Sequence, residues 1–286
     1  MEALTPRVLV DGLVFPEGPR WHDGRLWFSD ILGGKVYAFD PATAQASAVA
    51  QVPGGPSGLG FLPDGRLLIA AMRSRRLLRL DPEGLTTVAD LSGITVRLND
   101  MVVDRLGRAY LDVFFAEASG GIALVEPDGR CRVVADGMVS PNGLAVSADG
   151  SVLVANDLYG GKVLAFDIAP DGGLAGRRVF ADLGRASPDG LCLDAEGAAW
   201  IGLPFEGCFR RIRPGGEVTH EISHPDTWAL APILGGPDRR TLFLCTAQVT
   251  LTEIGRLLRA PEGADGDCRG WIETVGDVAV AGAGRP

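Results

Sequence analysis

No run in the 286-residue chain approaches eighteen consecutive apolar residues, which excludes a transmembrane helix. Excess positive charge is also missing. The net charge is −9, which argues against nucleic acid and anionic membrane surfaces as partners. Histidine is scarce, at three residues, so a histidine-rich metal site is not available. The five cysteines form no Cys-x-x-Cys pair, and several sit in apolar runs such as Leu242-Phe243-Leu244-Cys245. That usage suits buried free thiols in a reducing compartment better than disulfides. The start, Met1 to Arg7, lacks a basic segment followed by an apolar one, so no signal peptide is expected and the cytoplasm is the expected location. Gly54-Gly55 and Gly120-Gly121 have no helix after them, which excludes a phosphate-binding loop.

What is abundant is turn and core material. Forty Gly and nineteen Pro occur without a collagen-like period, and 46% of residues are hydrophobic. Many short strands around a large core fit that composition better than helices do.

The chain is organised by repeats. Val133-Val134-Ala135-Asp136-Gly137-Met138-Val139-Ser140-Pro141-Asn142-Gly143 nearly copies Val8-Leu9-Val10-Asp11-Gly12-Leu13-Val14-Phe15-Pro16-Glu17-Gly18, and Pro188-Asp189-Gly190 repeats the end again. A polar tight turn follows each copy, as at Asp23-Gly24, Asp64-Gly65, Asp149-Gly150 and Pro237-Asp238, and then an apolar run. A third run closes each unit, from Lys35-Val36-Tyr37-Ala38-Phe39-Asp40 to Arg256-Leu257-Leu258-Arg259. Spacings of 40, 42, 43 and 47 residues separate Glu17, Ser57, Asn99, Asn142 and Asp189. Units of four antiparallel strands at this period are propeller blades, and six units predict an all-β, six-bladed β-propeller forming one domain over residues 1–286.

Val8-Leu9-Val10 precedes any first strand, so it is expected to complete the last blade and close the ring. Trp271-Ile272-Glu273-Thr274-Val275 is a second candidate for that outer position.

Within the repeated Pro-x-Gly frame the x residue changes while the frame stays. Topology places these positions at the start of the innermost strands, around one mouth of the central channel. Reading round the ring gives Glu17, Ser57, Asn99, Asn142, Asp189 and, in the last blade, Ile233. Two carboxylates, two amides and a hydroxyl form a hard oxygen set. It suits one divalent cation, Ca2+ first, with Mg2+, Mn2+ and Zn2+ left open and a structural zinc disfavoured. The competing explanation is that Asn, Asp and Ser favour the turn into a strand. It weakens for the set, because two unscreened carboxylates would raise each other's pKa.

Pro16-Glu17-Gly18-Pro19-Arg20-Trp21, Arg97-Leu98-Asn99-Asp100, Pro141-Asn142-Gly143-Leu144 and Pro188-Asp189-Gly190-Leu191-Cys192-Leu193-Asp194 together resemble the SMP-30/gluconolactonase/LRE family. The likeness spans nearly the whole chain. It implies a six-bladed hydrolase with one divalent ion at the channel mouth, held by Glu17, Asn142 and Asp189. It further implies that Asp189 is the general base, that Arg97 and Asn99 hold substrate, and that Glu117 falls where some members bind sugar hydroxyls. Asp112-Val113-Phe114-Phe115 departs from the Gly-Asn that many bacterial members carry there.

The expected activity is hydrolysis of a sugar lactone by a monomer or weak oligomer. Alternatives are hydrolysis of other lactones, esters or phosphotriesters, and a propeller that binds Ca2+ or a protein without catalysis. Loops between second and third strands, carrying Met72, Arg73, Phe114, Phe115, Tyr159 and Phe205, should rim the pocket. His22 is expected on the opposite face in a surface role, and His224, before Pro225, is set aside as a site candidate. Arg73-Ser74-Arg75-Arg76 reads as a solvated hairpin.

Overall fold

A computed structural model describes residues 4–116, 119–260 and 266–283. Six four-stranded antiparallel sheets form a six-bladed β-propeller. The first blade comprises Pro16–His22, Arg25–Asp30, Lys35–Asp40 and Gln45–Gln51, from axis to rim, and the next four blades repeat that order. The innermost strands are Pro16–His22, Pro56–Phe61, Arg97–Val103, Pro141–Val146, Leu191–Leu193 and Trp228–Gly235. Each packs on the next, and the last packs on the first.

Burial explains the radial order. Second strands such as Leu67–Ala71 and Ala199–Leu203 are buried at every residue, whereas the outer strand Gln45–Gln51 is mostly exposed. Phe28, Ile69, Tyr110, Leu153, Ile201 and Leu244, one from each second strand, are fully buried between blades. Each such side chain contributes roughly 1.5–3 kcal/mol of burial free energy.

The sixth blade closes the ring. Its outermost strand is Arg7–Leu13, paired antiparallel with Arg269–Val275. The segment around Trp271 is therefore the third strand of that blade and not its edge. The expected third strand at Arg256 to Arg259 is not a strand. Residues Leu251–Leu257 form an α-helix whose N-cap Thr250 accepts a hydrogen bond from the Glu253 N–H at 3.2 Å. Ile254 and Leu257, three apart, turn one face into the core.

The long repeat linking residues 8–18 to 133–143 has a mechanical reason. Asp30, ending a second strand, accepts the N–H groups of Val14 and Phe15 at 3.0 and 2.8 Å. Asp157 does the same for Val139 and Ser140, at 3.1 and 2.7 Å. Each carboxylate pins the chain as it enters an innermost strand.

Five innermost strands carry a β-bulge where the x residue stands: between Glu17 and Arg20, Pro56 and Leu59, Leu98 and Met101, Asn142 and Leu144, and Ala229 and Pro232. In the fifth blade regular pairing begins at Leu191, two residues past Asp189. A bulge re-aims side chains, here toward the axis. The register also corrects one assignment. Ala229 pairs with Thr246 as Asn142 pairs with Asn156, so Ala229 is the sixth-blade equivalent, while Ile233 lies deeper, opposite Phe243. The sixth blade thus presents an apolar group at this level.

No helix among the described residues is long and apolar enough to cross a membrane.

Candidate active site at the channel mouth

Side chains from four consecutive blades meet in one hydrogen-bonded arc. The Ser57 hydroxyl donates to Asn99 Oδ1 at 3.3 Å, and Asn99 Nδ2 donates to Asn142 Oδ1 at 2.9 Å. Asn142 Nδ2 donates in turn to Asp189 Oδ1. The arc therefore runs from the second blade to the fifth. Glu17, from the first blade, is near enough to Asp189 for the two charges to oppose each other.

The backbone beneath these side chains is held as firmly. Asp189 donates its N–H to the Gly202 carbonyl at 2.9 Å, and its own carbonyl accepts from Asn156 Nδ2. Gly190 N–H reaches the Leu230 carbonyl of the sixth blade at 3.0 Å. On the other side of the ring, the Ser29 hydroxyl donates to the Ser57 carbonyl at 2.6 Å. Both Ser29 and Asn156 sit on second strands and reach across to the next blade's x residue.

Electrostatically the site is a crowded acidic pocket. Burial, then the Asp189 charge, raises the Glu17 carboxyl well above its ordinary range against the pull of the Gly18 N–H. Burial, then Asp100, pushes Asp189 up to about 8, opposed by the Asn142 hydrogen bond. Asp112 is fully buried, and among the described residues neither of its oxygens has a hydrogen-bond partner. Its pKa is raised well above the carboxylate range, by burial and then by Asp100. Arg20 lies within this group: it is buried against Asp100 at 3.1 Å and also donates to the Met101 and Pro19 carbonyls.

Arg97 lies across the Phe114 ring, its guanidinium carbon 4.3 Å from the centroid. Among the described residues its buried Nε has no partner, and burial lowers its pKa. Among the described residues it forms no ion pair. Glu117 lies outside the described residues.

Residues 15–248 match the profile described as the SMP-30/Gluconolactonase/LRE-like region. The chain belongs to this family. A 6-deoxy-6-sulfogluconolactonase of Pseudomonas putida is 28% identical over 245 residues, covering 82% of this chain and 84% of that protein. Pentonolactonase XacC of Haloferax volcanii is 26% identical over 301 residues, covering 98% and 96%. The crystal structure of a calcium-binding protein, regucalcin, from Agrobacterium tumefaciens superposes with a TM-score of 0.81 at 23% identity, covering 99% of this chain and 97% of that one.

Against this family background the site can be tested for a cation. Among the described residues, no three His, Cys, Asp or Glu side chains converge tightly enough to cage an ion by themselves. A ligand set here would therefore draw on amide or hydroxyl oxygens as well, such as those of Asn142, Asn99 or Ser57. The donor chemistry fits, since two buried carboxylates, with the Asp189 charge opposing ionisation of Glu17, and an amide oxygen are hard ligands for such a cation. Asn142 as placed turns Nδ2 to Asp189 and Oδ1 to Asn99. Offering Oδ1 to an ion requires the amide to turn over, which exchanges donor and acceptor without moving the backbone.

Several groups that shape this pocket were not singled out by sequence reasoning: Ser29, Asp112, Asn156, Asp100 and Arg20. A signal existed for the first three. Each interrupts an otherwise apolar second-strand run, as in Trp27-Phe28-Ser29 and Val154-Ala155-Asn156.

The expected rim also differs in detail. Arg73 is only half-buried but is engaged, donating to the Leu257 and Ala260 carbonyls at 3.0 and 2.8 Å and so tying the sixth-blade helix to the second blade. Met72 is buried. His224 pairs with Glu273 at 3.4 Å, and His22 stacks on Phe61 at 3.8 Å.

Proposed function

We propose that this chain hydrolyses the lactone of a sugar acid at the channel mouth, using one divalent cation, Ca2+ first among candidates, held by Glu17, Asn142 and Asp189. The observation that carries this reading is the arc from Ser57 through Asn99 and Asn142 to Asp189 beside the half-buried Glu17. The lactonase names of the relatives in Pseudomonas putida and Haloferax volcanii support the reaction class. The calcium-binding neighbour supports the choice of ion.

When bound, the cation supplies positive charge to the lactone carbonyl oxygen as negative charge develops there. Asp189 accepts a proton from the attacking water and returns it to the ring oxygen as the acyl C–O bond breaks, which opens the lactone to its hydroxy acid. The Gly202 and Asn156 contacts fix the Asp189 backbone beneath that carboxylate. Asn99 keeps a second amide N–H free for the ester or a ring hydroxyl. Arg97, braced on Phe114, offers its fork of N–H groups to a hydroxyl or carboxylate of the substrate.

We place the protein in the cytoplasm, acting on a small molecule as a monomer or weak oligomer. The five free thiols support a reducing setting.

The test is a screen of aldonolactones with the ion-loaded protein, repeated after EDTA and after adding Ca2+ back. The reading expects turnover that EDTA abolishes and Ca2+ restores. Ca2+ binding without turnover of any lactone would favour a non-catalytic propeller.

A further inference from the structure

Tyr159 and Phe205 are left 66% and 40% exposed, and both stand on mouth-side loops between second and third strands. Their rings stack at 6.4 Å, and Phe205 meets Trp228 edge-on at 5.2 Å. Tyr159 lies close enough to Arg97 to influence its charge, and Arg97 covers Phe114. The aromatic row is thus continuous with the site and follows blades three to six, the side that carries Asn99, Asn142 and Asp189.

Packing between loops does not explain this row, because packing would bury Tyr159. Exposed aromatic surface beside a polar site is the usual form of a ligand contact. Arg73, on the second blade's mouth-side loop, is committed to the Leu257 and Ala260 carbonyls.

We propose that Tyr159 and Phe205 form a shelf for an alkyl or aryl substituent, so that the preferred substrate is a sugar-acid lactone bearing an apolar branch. This rests on the lactonase reading above and narrows its substrate class. The lactone ring occupies the arc of amides and carboxylate, and the branch lies along the two stacked rings, displacing water from both. Apolar pockets of this size discriminate by about 10–200-fold per well-placed group.

The test compares kcat/KM of the Ca2+-loaded protein for glucono-δ-lactone and its 6-O-benzyl derivative. The proposal expects a preference of at least about tenfold for the benzyl compound, expressed in KM. In the Tyr159→Ser/Phe205→Ser variant that ratio falls about tenfold while kcat on the benzyl compound stays within about twofold; Tyr159→Phe keeps the ratio. Because Tyr159 is largely exposed, Tyr159→Ser alone reads the same ratio if the double variant is unstable. Equal use of both lactones by the parent protein, or an unchanged ratio in the variants, overturns the shelf and leaves the lactonase reading standing. If neither lactone is hydrolysed, the lactonase reading falls and the shelf with it.

Discussion

Asn142 donates from Nδ2 to Asp189 Oδ1, joining the fourth blade to the fifth at the point where the channel opens. Asp189→Asn keeps an acceptor for Asn142 but removes the base. We expect kcat to fall by about 10²–10⁴ while circular dichroism and melting show an intact fold. A variant with parental turnover would remove Asp189 from the reaction.

The acidic pocket also makes a pH prediction for ion-free protein. Asp189 holds its proton up to about pH 8 when folded, above its ordinary value of 3.8. A carboxyl raised in this way binds more protons folded than unfolded between those values, so its contribution to stability is full below about pH 4 and lost as pH rises through about 8. Melting temperature should therefore fall from pH 5 to pH 9 in EDTA. Asp189→Asn should flatten that slope, and thermal scans across the range would reveal it.

The backbone at the site tolerates little. Gly143 has φ +61°, and an added Cβ would overlap the Asp189 carbonyl oxygen. Gly143→Ala combines left-handed strain with that overlap, for a cost of about 3 kcal/mol. Urea unfolding should show this loss, and the variant should also bind Ca2+ more weakly, because Asp189 has to move.

Period and turn chemistry made the ring legible, because a blade cannot bury its faces alone and must repeat. They also made Glu17, Asn142 and Asp189 legible, as the changing residue in a constant frame. Register was not legible. The bulges at Glu17, Ser57, Asn99 and Asn142 shift pairing without altering spacing enough to announce themselves, and so Ile233 stood where Ala229 belongs. The helix at Leu251–Leu257 was hidden for another reason. Its apolar residues also read as a strand, although Thr250-x-x-Glu253 carries a helix-start pattern that the hydrogen bond confirms. Arg20 and Asp100 were invisible as a pair because eighty residues separate them.

That pair yields its own prediction. Arg20 and Asp100 are both almost wholly enclosed, with side-chain exposures of 5% and 10%. Arg20→Met strands a buried charge next to Glu17 and Asp189 and should cost about 3–5 kcal/mol by urea unfolding. Arg20→Met/Asp100→Leu removes both charges and should recover most of it. If the double variant is no more stable than the single, the cost lies in packing and not in charge.

Calorimetric titration of Ca2+ into EDTA-stripped protein tests the central claim most directly, because it asks whether Glu17, Asn142 and Asp189 act as one ligand set. The account predicts one ion per chain, with affinity at least about 100-fold weaker in Glu17→Gln and in Asp189→Asn. Absence of binding in the parent protein, or unchanged affinity in both variants, would contradict it.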